Sequence, residues 1–98
     1  MAVTVVARWS VPNLDLTLVK KAKAMSIKLG AQDMRFSHIH TGPFTGGYMV
    51  ATVYADMAAY GKASVATAAN AGSQKLQAEI AKTGAVMHER EILVGLDV

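Results

Sequence analysis

The chain has 98 residues, 52% of them hydrophobic and 17% charged, with a net charge of +3 and no cysteine. That length fits one domain with a modest core, and the composition excludes a disordered chain. The missing cysteines exclude a disulfide framework and thiolate chemistry. No apolar run approaches the ~20 residues of a membrane span. The opening segment MAVTVVARW lacks the basic and long apolar regions of a signal peptide, so a soluble cytoplasmic protein is expected. The apolar share is generous for so small a surface, and part of it is expected between copies of the chain.

Residues 2–10 read as a strand, with Val3, Val5, Ala7 and Trp9 on one face and Thr4, Val6, Arg8 and Ser10 on the other. Pro12 ends it, because proline cannot donate to a ladder. Residues 14–29 read as a helix. Asn13 is its expected N-cap, Leu14, Leu18, Ala22, Met25 and Leu29 form its apolar stripe, and Gly30 is its stop. Lys20, Lys21, Lys23 and Lys28 lie in this helix and read as a solvated face. A nucleic-acid surface would interleave aromatics with the basic residues, and none of the six aromatics sits among these lysines.

Residues 33–41 read as the second strand, with Met34, Phe36, His38 and His40 on one face and Arg35, Ser37, Ile39 and Thr41 on the other. Thr41–Gly47 has loop composition and reads as a mobile lid. Its three glycines fit neither GxGxxG nor GxxxxGK[ST], which argues against a phosphate site. The third strand, 48–55, is apolar on both faces and therefore central. A second helix, 57–70, is expected to start at Asp56 and to bury Met57, Tyr60, Ser64 and Ala68. Gly61 costs about 1 kcal/mol inside a helix, so a close approach is expected there. Gly72 should break this helix and Ser73 should cap a third one, running to about Thr83 with Leu76 and Ile80 inward. Residues 86–97 read as the last strand. His88, Arg90, Ile92, Val94 and Leu96 share one face, and Met87, Glu89, Glu91, Leu93 and Asp97 the other.

The order βαββαβ with right-handed crossovers gives an α+β, ferredoxin-like domain over residues 1–98. Its four-stranded antiparallel sheet has the order 4-1-3-2, with helices on one face. The other face holds Val6, Ile39 and Leu93, too apolar for water, beside Arg8, Arg35, Glu89 and Glu91, which balance in sign. A homodimer through this open sheet face is expected, with those four charges at its rim.

The βαββαβ order at this length resembles the dimeric α+β barrel superfamily, and the strings TGPFTGGYMVATVYADMAAYGKA (residues 41–63) and MHEREI (residues 87–92) are similar to a bacterial family within it that has no assigned reaction. That superfamily also includes antibiotic-biosynthesis monooxygenases and stress-responsive barrel proteins. The resemblance implies dimeric ferredoxin-like subunits with a pocket between sheet and helices. It implies no particular reaction, because fold alone does not fix chemistry.

His38 and His40 are the sharpest chemical feature. At i and i+2 on a strand they would project to one side, roughly 7 Å apart. Three readings stand side by side. One is a core histidine with a solvent-facing neighbour. Another is a metal site, which is disfavoured because His88 is on the other edge strand and no carboxylate shares the His38 face. The third is a pocket walled by Trp9, Phe36, Tyr48, Tyr54 and Tyr60, in which a histidine takes a proton from an activated carbon and Tyr60 holds the oxyanion. That last chemistry needs no cofactor and no metal. It suits oxygenation or isomerisation of a small apolar, aromatic or polyketide-like molecule. A non-catalytic binding module and a purely structural dimerisation domain are the alternatives. Trp9 and Tyr60 also read as plain core residues. Arg8 and Arg35 can clamp a carboxylate, though pairing with Glu89 and Glu91 is the simpler role. RNA-recognition domains share the strand order, but no basic-glycine-aromatic string occurs on the third strand.

Overall fold

The computed structural model describes residues 1–98 throughout. The elements are β1 (Val3–Ser10), α1 (Leu16–Lys28), β2 (Asp33–His38), β3 (Tyr48–Tyr54), α2 (Met57–Ala69), α3 (Ala71–Lys82) and β4 (Val86–Val94). The strands form one antiparallel sheet in the order β2-β3-β1-β4, which is the expected order read from its other edge. The fold is ferredoxin-like α+β. No helix is long and apolar enough to cross a membrane.

Strand β1 is the centre of the packing. Its register sets Val5 opposite Thr52 of β3 and Ile92 of β4, and Val6 opposite Ala51 and Glu91. Val3, Val5 and Val6 are buried, as are Ala31, Ala63 and Leu76 from the helical side. Only 8 of 98 residues are buried, and β4 is exposed along its whole length. The accessible surface is 6350 Å². A compact monomer of 10.3 kDa has about 5,400 Å², so this subunit is extended for its mass.

Several local expectations need correction. Asp15, not Asn13, caps α1: its Oδ1 accepts from the Thr17 N–H at 2.8 Å and the Leu18 N–H at 3.4 Å. A carboxylate satisfies the free amides there and also suits the helix dipole. Leu14 lies before the helix and is exposed. Asn70, not Ser73, starts α3, its Oδ1 accepting from Ser73 N at 2.9 Å. Asn70 N–H also bonds Thr67 O, so one extended residue ends α2 and opens α3. Gly72 therefore lies in the first turn of α3 instead of between helices. The α2 stripe is rotated from expectation. Met57, Ser64 and Ala68 are exposed, while Ala63 is buried and Tyr60 is half-buried. Ala63 packs against the end of α1 at Gly30, where the backbone has φ +124°.

Strand β2 ends at His38, and the chain then turns. Ile39 N donates to Gly47 O and Gly46 N to Ile39 O, which closes residues 40–46 into a compact loop. Gly47 is pressed against β1: a Cβ there would sit 2.6 Å from the Trp9 carbonyl oxygen. Opposite, the β1–β4 register slips between Arg8 and Trp9, so Trp9 faces Met87 and His88 becomes the extra residue of a bulge. The strict alternation expected for β4 therefore fails at its start, and Met87 joins Arg90 on the helix side of the sheet.

Gly61 is exposed, and a Cβ there would meet nothing within 4 Å, contrary to the close approach expected for it. Gly61→Ala should therefore stabilise the protein by roughly 0.5–1 kcal/mol, removing backbone freedom from the unfolded chain without strain. A rise of several degrees in the thermal midpoint is the expected reading, and a fall would show that α2 needs the glycine for packing.

Candidate functional site

Between the sheet and the helices lies a cavity of about 390 Å³, within the range of small-molecule sites. The pleat of the sheet builds its floor. Alternate residues Val5, Ala7 and Trp9 of β1 project into it, as do Met34 and Phe36 of β2. Tyr48, Val50, Thr52 and Tyr54 of β3 complete the floor, with Met87 and Arg90 of β4 at its edge. Leu18, Val19 and Ala22 of α1, with Gln77 and Ile80 of α3, form the roof. From α2 only Tyr60 reaches the cavity.

The polar groups converge at the β4 side. Arg90 Nη2 donates to Tyr60 Oη at 2.5 Å. The guanidinium carbon lies 5.8 Å from the Tyr60 ring centroid, at the margin of a cation–π contact. The hydrogen bond to the oxygen is thus the stronger interaction. Tyr54 meets the Tyr60 ring edge-on, with centroids 5.3 Å apart. The Arg90 hydrogen bond holds the Tyr60 hydroxyl below the usual phenol range, with Ser64 acting the same way and burial opposing both. Burial pushes Tyr54 up, and the neighbouring Tyr60 adds to that. Two adjacent phenols are thereby separated in acidity.

The structure brings Trp9, Phe36, Tyr48, Tyr54 and Tyr60 together around one cavity. It does not bring the histidines with them. His38 and His40 are both exposed, and neither lines the cavity. His38 ends β2 and rests its ring against Tyr48, centroids 5.2 Å apart. His40 lies beyond the strand, so the two lack the expected i, i+2 strand geometry. The loop 41–47 contributes nothing to the cavity wall either. Its Phe44 stacks on His88 at 5.9 Å, and Ser10 Oγ hydrogen-bonds His88 Nε2, which ties the loop to the bulge in β4. No group of three or more His, Cys, Asp or Glu side chains is arranged to hold a metal ion.

The charges on the open face sort by strand. Arg8 pairs with Glu91 at 2.8 Å and stands 3.9 Å from Glu89. Arg35 does not reach those glutamates, which are on the other edge strand. It bonds Asp33 at 3.0 Å, and this hydrogen bond is the first cause holding the Asp33 carboxyl below its usual range. Lys23 adds a 3.5 Å contact to Asp33 from α1. These pairs are exposed and contribute little to stability.

Sequence reasoning did not place Arg90 at the cavity: strict alternation sets it between His88 and Ile92, and only the bulge brings Met87 to its side.

No protein-family model and no curated protein matches the chain. Among solved structures, a point variant of SnoaB, a cofactor-independent oxygenase from Streptomyces nogalater, aligns with a TM-score of 0.72 and 15% identity, over 99% of this chain and 95% of that one. MupZ from Pseudomonas fluorescens aligns with a TM-score of 0.59 and 19% identity, over 93% of this chain and 69% of that one. A candidate antibiotic biosynthesis monooxygenase from Caulobacter crescentus CB15 gives a TM-score of 0.55 and 18% identity, over 98% and 91%. At these identities the likeness shows the fold. That fold is the one expected from the element order.

Arg90→Met removes the donor to Tyr60. The phenolate absorbance of Tyr60 should then appear at higher pH than in the parent, while an unmoved titration would mean that the Arg90 contact does not set its acidity. Because the parent's folded-state value is depressed, ionisation of Tyr60 stabilises the fold as pH rises through it. That contribution is absent at lower pH and is reduced in the variant.

Proposed function

We propose that the protein binds a small, flat, largely apolar molecule in this cavity and converts it without a cofactor, by proton transfer at the Tyr60–Arg90 pair. The observation that carries this reading is one polarised phenol, paired with a guanidinium, at the edge of an otherwise apolar cavity. Arg90 stabilises the phenolate form of Tyr60, which accepts a proton from an acidic C–H or O–H of the bound molecule. The neutral Tyr60 then donates a hydrogen bond to the resulting oxyanion. For an isomerisation the proton returns at another carbon. For an oxygenation the carbanion is oxidised by dioxygen: a CH2 carbon becomes C=O, one oxygen atom stays on it, and the other leaves as water with both hydrogens. The resemblance in fold to a cofactor-independent oxygenase supports the second outcome.

This reading moves the base from the histidines to Tyr60. Asp15 is the carboxylate on the cavity wall, but its Oδ1 is engaged in capping α1. A non-catalytic binding module is the second reading, favoured by the absence of any histidine from the cavity wall. Turnover of anthrone-type and 1,3-diketone probes separates the two. Tyr60→Phe should bind such a probe within a few-fold of the parent, read by Trp9 fluorescence, and lose turnover by about 10²–10⁴-fold. His38→Ala with His40→Ala should leave turnover intact. In Arg90→Met the rising limb of the pH–rate profile should move to higher pH, following the Tyr60 titration. Binding without turnover by the parent would favour the carrier.

The working unit is proposed to be a homodimer joined through the open sheet face. Support comes from the excess accessible surface, the fully exposed β4 and the exposed apolar Leu93, which pairs with Thr4 of β1. Burial of roughly 800 Å² per subunit is the scale of a stable interface. Sedimentation at micromolar concentration should give a dimer, and Leu93→Lys should shift it to monomer. A parent that sediments as a monomer removes this proposal.

A further inference from the structure

The charge of this molecule is sorted by layer. All seven lysines lie on the helices: Lys20, Lys21, Lys23 and Lys28 on α1, Lys62 on α2, Lys75 and Lys82 on α3. All three arginines lie on strands, at Arg8, Arg35 and Arg90. The carboxylates of Glu89, Glu91 and Asp33 face the sheet-side arginines, and Asp15 and Asp56 cap helices. Glu79 is the acidic residue on the helix bodies. The net positive charge of the chain therefore sits on the helical layer, away from the proposed dimer face.

Within that layer α1 and α3 frame a second depression, about 360 Å³ in volume. Ala24, Met25 and Leu76 form its floor, and Lys21, Lys28 and Lys75 stand at its rim with Glu79. Glu79 lies 4.0 Å from Lys21, whereas Lys28 and Lys75 have no carboxylate within that distance. The helices cross closely here: a Cβ on Gly72 would stand 3.1 Å from Met25 Cε. An apolar seam bordered by unpaired cations is the mirror of a helix with an apolar stripe bordered by carboxylates.

We propose that this groove docks an acidic amphipathic helix of a partner protein. Charge complementarity selects the occupant. Point-charge ammoniums on flexible stems steer an acidic surface towards the groove and discriminate against basic ones. Nucleic acid fits less well. Bidentate and stacking recognition relies on arginine and aromatic side chains, and this layer carries no arginine, while its one aromatic, Tyr60, turns into the cavity. An anionic bilayer would draw on the same lysines but not on the recessed floor. The interaction is independent of turnover in the other cavity.

The test uses the full chain and a fluorescent helical peptide with leucines on one face and glutamates on the rest, beside its glutamine analogue. The glutamate peptide should bind, and its affinity should fall as salt rises, because partly exposed charges are screened. The glutamine analogue should bind at least about tenfold more weakly. Lys21→Glu with Lys28→Glu and Lys75→Glu should reduce binding of the glutamate peptide about tenfold or more. Circular dichroism and Tyr60 titration should be unchanged in that variant. Glutamine substitutions at the same three lysines should give an intermediate loss. Equal binding of both peptides overturns the proposal, as does equal binding by parent and triple variant or failure of the glutamate peptide to bind at all. Tighter binding of a DNA duplex or of phosphatidylglycerol vesicles than of the glutamate peptide also overturns it, in favour of those partners.

Discussion

Strand β1 is hydrogen-bonded along both edges, to β3 and to β4, and carries three of the six buried apolar residues. Val3 and Val5 pack beneath the helices while Val6 turns to the opposite face, so this one strand is buried on both sides. Its pleat sets the rest. Because Val5, Ala7 and Trp9 alternate towards the helices, the strands paired to β1 must present Thr52, Val50 and Tyr48, and Ile92 and Arg90, to the same side. A slip of one residue would turn Tyr54, Tyr48 and Arg90 away from the cavity together. The aromatic wall and the guanidinium are thus consequences of register before they are matters of chemistry.

The periodicities that carry register are also what made the fold legible. Period-two alternation around Val3–Trp9 and Met34–Phe36, and the glycine stops, fix the strands and their order. The cavity aromatics follow from the same parity. Legibility failed where the parity was broken by something nonlocal. Alternation alone extends β2 to His40, but the strand stops at His38 because the returning chain at Gly46 and Gly47 takes up the hydrogen bonds of Ile39. Met87 and His88 were placed on the wrong faces because a bulge inserts one residue opposite the Arg8–Trp9 step. Its stabilising contacts, Ser10 and Phe44, are 78 and 44 residues away in sequence, so no local pattern announces it. The helix caps failed for a milder reason. Asn13 and Asp15, and Asn70 and Ser73, are all acceptable cap types within one turn, and only tertiary packing decides which residue leaves the helix.

The helices are held unevenly. α3 is fixed by Ser73 and Leu76, both buried, whereas α1 buries no residue and its Lys23–Asp33 pair is exposed. In α2, of 13 residues, Ala63 alone is buried. Short side chains give α2 high helix propensity but little apolar area to bury, so its stability is borrowed from the cap at each end. Segments with few buried contacts open at lower free energy than the global fold. α1 and α2 are accordingly the less firmly packed helices.

Tyr60 rides on α2, and Arg90 stands on β4, the strand exposed along its whole length. The polarised pair therefore links α2 to the exposed edge strand β4. Its 2.5 Å hydrogen bond spans one edge of the cavity, so a displacement of α2 would separate Tyr60 from the group that depresses its acidity. A second copy packed on the open face, as proposed above, would hold β4 and with it Arg90 in place. Dimerisation and the acidity of one tyrosine would then be coupled through a single strand, although no residue of the open face need enter the cavity.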